Sequence, residues 1–282
     1  MTIASTGDVL AAAAGHGRGI GAFNVLHLET AEALAAAAEA CGLPVILQLS
    51  ENCVRYHGSF EPIAQGMLAI ARGASAPIAL HLDHAEDPEL AYAAIDIGFG
   101  SVMYDGAKLE FADNVARTRD VVGRAHAAGV MVEAELGEIG GKNGAHAPGV
   151  RTDPDEAALF VDETGVDALA VAVGSSHAMT DRVAQLDLEL VRRLHAAVPV
   201  PLVLHGSSGV ADDLIVRGIA AGLTKVNVST HLAATFTGAI RGVLDANPAT
   251  VDSRSYIGAG REAVALEAER MLRLFDSAGE GE

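Results

Sequence analysis

The chain has 282 residues, half of them apolar, with 4% aromatic residues and no tryptophan; one large core of Ala, Val, Ile and Leu is available, and the length suits a single α/β barrel of about 250 residues plus insertions. A formal net charge of −18 disfavours nucleic acid and anionic membranes and offers no steering of an anionic substrate, so any phosphate site has to be local. Cys41 and Cys53 form no CxxC pair and read as packing residues, and with neither a leader pattern nor a membrane-length apolar run the expectation is a cytoplasmic protein.

Short β-branched runs alternate with Ala-rich amphipathic segments along the whole chain. A helix near 5–15 is expected to cap the bottom of a barrel. Strands are then expected near 19–25 (GIGAFNV), 44–50 (PVILQLS), 77–83 (PIALHLD) and 100–105 (GSVMYD), separated by helices near 29–41, 61–73 and 88–97. A helix near 111–128 leads to a strand near 130–136 (VMVEAEL). The stretch 137–153 is Gly-rich and aperiodic, as expected of a mobile active-site loop. Asp153-Pro154 then starts a helix near 154–164, an N-cap residue followed by Pro at the first helical position. Strands near 168–174, 200–205 and 224–229 alternate with helices near 187–196, 211–221 and 231–245, and a final helix is expected near 260–275. Eight such units imply parallel βαβ packing and closure into a single-domain (β/α)8 barrel spanning 1–282, with an open doubly wound sheet as the fallback.

In such a barrel chemistry collects at the C-terminal ends of the strands. Those ends carry Asn24, Ser50, the run His81-Leu82-Asp83-His84, Asp105, Glu133 and Glu135, Gly174-Ser175-Ser176-His177, His205-Gly206-Ser207-Ser208-Gly209 and Asn227-Val228-Ser229-Thr230. Gathering so many polar groups at one rim is costly unless a site uses them. If the barrel closes, His84, His177 and His205 converge as three imidazoles with open positions, which is a catalytic Zn²⁺ arrangement. Any one of these histidines alone would read as a satisfied loop residue. Asp83 suits proton delivery to a substrate oxygen, or orientation of a ligand imidazole. Asp105 and Glu135 read equally as carboxylates that contact a metal or as members of an interior polar network. HGSSG and NVST follow adjacent strands and offer free backbone N–H groups at helix N-termini, an anion site of the kind barrels use for phosphate.

The runs GAFNV, PVILQLSE, HLDHAED, SVMYDGA, VEAELGEIGG, VGSSHA, PLVLHGSSG, KVNVST and SYIGAGREAV, in that order, resemble the shorter branch of the class II fructose-bisphosphate and tagatose-bisphosphate aldolases. The resemblance covers essentially the whole chain. It implies a carbon–carbon lyase acting on a phosphorylated sugar with dihydroxyacetone phosphate as one product, assembled as a homodimer or homotetramer. It makes His84, His177 and His205 the ligands of a catalytic Zn²⁺ and Asp83 the acid/base acting on the aldehyde oxygen. Asp105 and Glu135 match positions that hold a second cation in some members. Gly206, Ser208, Asn227, Ser229 and Thr230 match the cradle for the dihydroxyacetone phosphate half, Asn24 and Ser50 match other substrate contacts, and Arg261 matches an arginine associated with a distal phosphate. The sole lysine at a strand position, Lys225, falls in the KVNVST motif and has a structural role in this reading.

Two positions depart from the pattern. The family has an acidic pair after the GG of the strand-five loop, one of which moves the enediol proton; Lys142 and Asn143 stand there, and His146 is the nearest loop residue that titrates near neutral pH, with Glu138 or water as the alternative. The family's Gly after the second histidine is Ala178. These departures leave two alternatives: a non-catalytic or altered-specificity sugar-phosphate-binding relative, or a metal-dependent hydrolase on the same barrel.

Overall fold

In a computed structural model that describes residues 3–136 and 151–280, eight parallel strands close into a barrel in sequence order. They are β1 (Ile20–Asn24), β2 (Val45–Ser50), β3 (Ile78–Ala85), β4 (Ser101–Tyr104), β5 (Met131–Glu135), β6 (Ala168–Ala170), β7 (Leu202–Leu204) and β8 (Leu223–Val228). β8 pairs with β1 to complete the ring, Ala22 lying opposite Asn227. The fallback of an open sheet is excluded by that pairing.

Eleven helices are described: α1 (Thr6–Gly15), α2 (Leu28–Cys41), α3 (Glu51–His57), α4 (Glu61–Gly73), α5 (Pro88–Ile97), α6 (Phe111–Ala127), α7 (Pro154–Thr164), α8 (Leu188–Ala197), α9 (Asp212–Ala220), α10 (Thr230–Ala246) and α11 (Ser253–Asp276). Caps set several of their starts. The Asp153 carboxylate accepts from the amides of Asp155 and Glu156 ahead of α7, as the Asp-Pro pair predicts. Among the described residues no helix is long and apolar enough to cross a membrane.

Outward-facing side chains such as Phe23, Leu47, Leu80, Val132 and Leu204 pack under the helices in one continuous core. Inside the barrel the lower layer is apolar. Val9, Leu10 and Ala13 of α1 plug the bottom against Ile20, Ala22, Ile46 and Ala79, as expected for the first helix. Above that plug the interior turns polar, with Gln48, His81, Asp83, Glu133, Glu135, Lys225 and Asn227 all buried. A buried polar layer survives only if its members bond one another or a ligand, so the change of layer marks the floor of a site.

Four expectations differ from the structure. β6 and β7 are shorter than the apolar runs that contain them, ending at Ala170 and Leu204. β3 is longer, because its pairing with β4 shifts between Leu82 and Ala85. α3 was not anticipated: its seven residues are too few to show a helical period, although Ser50 caps it by accepting from the Cys53 amide. α11 starts seven residues before the expected 260, where Asp252 caps it. Of the expected loop 137–153, residues 137–150 lie outside the described residues, and so does His146.

Candidate active site

β3, β6 and β7 bring three histidines to the barrel mouth. The ring centroids of His84 and His205 are 4.6 Å apart, those of His84 and His177 5.1 Å, and those of His177 and His205 5.5 Å. One donor atom from each, with a carboxylate oxygen of Glu135, all lie within 4.8 Å of one another. Three imidazoles and a carboxylate at that spacing are a donor set for a divalent transition metal.

Carboxylates orient the rings. Asp105 Oδ2 is 2.8 Å from His84 Nδ1, and Glu133 Oε1 is 3.0 Å from His205 Nε2. His205 Nδ1 is buried and, among the described residues, has no hydrogen-bond partner. It lies 3.6 Å from Glu135 Oε2. A buried ring nitrogen left open beside a carboxylate fits a bound cation. Glu133 is itself held by Lys225, whose Nζ donates to Oε2 at 2.8 Å. Burial works against its charge, but Lys225 and the hydrogen bond from His205 outweigh it and hold the carboxyl well below the usual range. The two buried charges therefore compensate one another, and Lys225 is committed to an ion pair inside the barrel.

Asp83 stands beside this cluster, its Oδ1 4.0 Å from His84 Nε2. Asn24 Nδ2 donates to its Oδ2 at 3.2 Å and Asn227 Nδ2 to its Oδ1 at 3.4 Å, while Gln48 Nε2 fixes Asn24 by donating to its Oδ1 at 2.8 Å. Burial raises the Asp83 pKa, yet the field of His84, His205, Lys225 and His81 prevails and holds it below the ordinary value. The group is thus an aligned, ionised carboxylate.

A cavity of about 160 Å³ opens over these residues. Asp83, His84 and His177 line it, together with Asn24, Gln48, Ser50 and Asn52. Gly206, Ser208, Asn227, Ser229 and Thr230, from the loops after β7 and β8, line it as well, and so does Ala178. There Ser229 precedes the first turn of α10 without capping it by its side chain; the His231 amide of that turn donates to Ser208 Oγ, and the N-terminal end of such a helix suits an anion. Gly206 has φ +67, and a Cβ on it would stand 2.5 Å from the Ser176 carbonyl oxygen; only glycine lets the β6 and β7 loops approach so closely.

Among the described residues, two non-glycine residues have positive φ, His84 at 51° and Ala178 at 59°. Both line this cavity. Strained backbone confined to one cavity is the pattern of a functional site.

Of the site positions anticipated on the strand ends, Asn24, Ser50, Asp83, His84, His177, Gly206, Ser208, Asn227, Ser229 and Thr230 line the cavity, and Asp105, Glu135 and His205 meet it through His84. Arg261 does not: it lies on α11, where its Nη1 donates to Glu32 Oε2 of α2 at 2.8 Å, outside the cavity lining. Sequence reasoning missed Gln48 and Asn52. Gln48 was findable, because it shares a strand face with Ser50 two residues on. Asn52 sits on the unanticipated α3 and carried no signal.

A profile described as "Fructose-bisphosphate aldolase class-II" matches residues 4–280. The chain is 38% identical over 283 residues to the fructose-bisphosphate aldolase of Geobacillus stearothermophilus, covering 99% of each. It is 36% identical to the 6-phospho-5-dehydro-2-deoxy-D-gluconate aldolase of Bacillus licheniformis, covering 99% of this chain and 97% of that one. Its fold superposes on the crystal structure of the YdjI aldolase from Escherichia coli K12 with a TM-score of 0.86, 33% identity and complete coverage of both chains. Relatives of nearly equal identity thus carry different substrate names.

Proposed function

The chain belongs to the class II fructose-bisphosphate aldolase family and is a carbon–carbon lyase, and on that premise we propose that it cleaves or forms a ketose 1-phosphate or 1,6-bisphosphate, with dihydroxyacetone phosphate as one product. The observation that carries this reading is the meeting, in one cavity, of a three-histidine donor set, the ionised Asp83 and a wall of small anion-binding residues. The family is metal-dependent. In this reading His84, His177 and His205 hold a Zn²⁺ ion, and Asp105 and Glu135 stand where a second cation would bind. When bound, the metal supplies Lewis-acid polarisation of the C2 carbonyl.

The rest falls to the chain's own groups. The substrate phosphate lodges against Gly206, Ser208, Ser229 and Thr230, with Asn227 between it and Asp83. Asn24 and Asn227 align the Asp83 carboxylate from both sides. In cleavage Asp83 takes the C4 hydroxyl proton as the C3–C4 bond breaks, the aldehyde half leaves, and the bonding electron pair stays with C3. Ser50 faces the aldehyde half. A proton must then reach C3, and this role is assigned to His146 from the sequence, because the Asn143 amide cannot deliver one. Arg261 is assigned to a distal phosphate on the resemblance alone. Assembly as a homodimer or homotetramer in the cytoplasm is part of the same reading.

The test is a cleavage screen across ketose phosphates with the metal-loaded protein, following dihydroxyacetone phosphate. In parallel, exchange of its C–H proton with solvent deuterium is measured. The reading expects release and exchange in the unaltered protein, and exchange lost in His146→Ala with metal retained. Neither cleavage nor exchange in the unaltered protein would favour a non-catalytic sugar-phosphate binder, and release of inorganic phosphate or another hydrolytic product would favour a hydrolase.

A further inference from the structure

The anion wall is assembled from separate loops whose side chains are too small to correct a misplaced backbone. Gly206 and Ser208 follow β7, Ser229 and Thr230 follow β8, and Ala178 follows β6. Backbone N–H groups bind an anion only when they converge on it at hydrogen-bond distance, so the loops have to be held in register with one another.

Behind the wall, five charged or titratable side chains form one connected chain, and none of them lines the cavity. It starts in the first turn of α10, where the His231 amide donates to Ser208 Oγ at 3.1 Å and its Nε2 lies 2.6 Å from Glu267 Oε1 on α11. Arg270, one turn further along α11, donates to Glu267 from Nε at 3.0 Å and from Nη2 at 2.7 Å. Its Nη1 donates to Oδ2 of Asp212 at 2.6 Å. Asp212 opens α9, directly after the β7 loop. Its Oδ1 accepts from Nη2 of Arg182, which belongs to the segment between β6 and α8. The Nε of Arg182 donates to the Val210 carbonyl at 2.8 Å. Each of the three loops thus connects to the same chain, and α11 is the shared anchor.

Isolated exposed ion pairs contribute little. This chain differs in being a network with a doubly bonded Arg270–Glu267 pair and in being partly shielded, with Glu267 20% and Asp212 33% exposed. Asp212 is the junction, since it joins the Arg182 half to the Arg270 half. Burial disfavours its charge, and the two arginines overcome that and hold its carboxyl below the ordinary range.

We propose that Asp212 is a positioning residue for the phosphate-binding wall, fixing the β6 loop against the β7 and β8 loops through Arg182 and Arg270. The proposal rests on the reading of that wall as the substrate-phosphate site. It touches no reacting atom, so its effect belongs to binding of the phosphate half rather than to the chemical step.

The experiment titrates inorganic phosphate into the metal-loaded protein by calorimetry and measures KM and kcat for a ketose 1-phosphate on the same samples. Asp212→Ala is expected to raise the phosphate Kd and the KM together by roughly tenfold, the equivalent of about one hydrogen bond to the anion, with kcat and metal content within about twofold of the unaltered protein. Asp212→Glu, which keeps a carboxylate between the two arginines, should recover most of the loss. Arg182→Ala breaks the same chain from its other end and should reproduce the Asp212→Ala pattern, which keeps the test valid if one variant folds poorly. An unchanged phosphate Kd in both alanine variants overturns the proposal. So does a fall in kcat, metal content and phosphate affinity in step with thermal stability, which would mark a general structural role. If the unaltered protein binds no phosphate, the reading of the wall itself fails, and that is seen before any variant is compared.

Discussion

The Oε1 of Glu133 lies 3.0 Å from the Nε2 of His205, and this contact decides which nitrogen of the ring is left for a metal. An ionised carboxylate only accepts hydrogen bonds, so Nε2 carries the proton and Nδ1 presents its lone pair. Among the described residues Nδ1 is buried with no hydrogen bond, as a metal ligand requires. Replacing Glu133 by Gln keeps the shape but removes the charge that selects the tautomer and pairs with Lys225. Glu133→Gln is predicted to weaken metal binding by about 10- to 100-fold while the barrel stays folded, measured by competition against a chelator. Unchanged affinity would mean that His205 needs no such support.

Asp83 is predicted to matter for turnover and not for metal. It accepts from Asn24 and Asn227 and stands 4.0 Å from His84 Nε2. Asp83→Ala should retain the metal and lose roughly two to four orders of magnitude in kcat, the range for a positioned acid/base. Metal analysis alongside steady-state kinetics checks this. Loss of metal in the variant would make Asp83 a support of the ligands instead.

Much of this site was legible because barrel geometry turns sequence order into spatial order. Once eight βα units are read, every strand end shares one rim, and His84, His177 and His205 converge without further information. What stayed hidden depends on bonding across the barrel. Glu133 and Lys225 are 92 residues apart, and no local pattern pairs them. The role of Glu133 in holding His205 appears only when the register of β5 and β7 is known. α3 and its Asn52 were missed because seven residues fall short of two helical turns, so periodicity could not register them. Gln48 was passed over although its two-residue spacing from Ser50 places both on the interior face.

Ala178 occupies a conformation that suits glycine, with φ 59°. A left-handed alanine costs on the order of 1 kcal/mol, partly offset by its smaller loss of chain entropy relative to glycine. Ala178→Gly is therefore predicted to leave stability unchanged or to raise it by up to about 1 kcal/mol. Removing a methyl from the cavity edge should also lower the KM for a ketose phosphate. Denaturant midpoints and steady-state kinetics decide it. Destabilisation with a raised KM would show that the methyl makes a contact the protein needs.

Acid should destabilise the metal-free fold through His81. Burial, followed by the field of Lys225, lowers its pKa from 6.5 to about 3, and its Nδ1 is 2.8 Å from Ser101 Oγ. Between those two values the unfolded chain binds a proton that the folded chain does not. Stability therefore falls as pH drops from about 6.5 towards 3, at up to about 1.4 kcal/mol per pH unit from this group. The lowered carboxyls of Asp83 and Glu133 act in the same direction below their unfolded values, since the stability they add is lost on protonation. Urea unfolding of apoprotein at pH 7 and pH 5 should show the loss, and His81→Gln should shrink it. A pH-independent midpoint across that window would contradict a buried neutral His81.

The central claim is that the three histidines hold the metal on which cleavage depends. The most direct measurement is metal content and ketose-phosphate cleavage rate determined on the same samples of the unaltered protein, the chelator-treated protein and His205→Ala. The account predicts about one tightly bound zinc per chain in the unaltered protein, loss of metal and cleavage together after chelation, recovery of both on adding Zn²⁺, and loss of both in the variant. Full cleavage by a verified metal-free sample, or by His205→Ala, would contradict it.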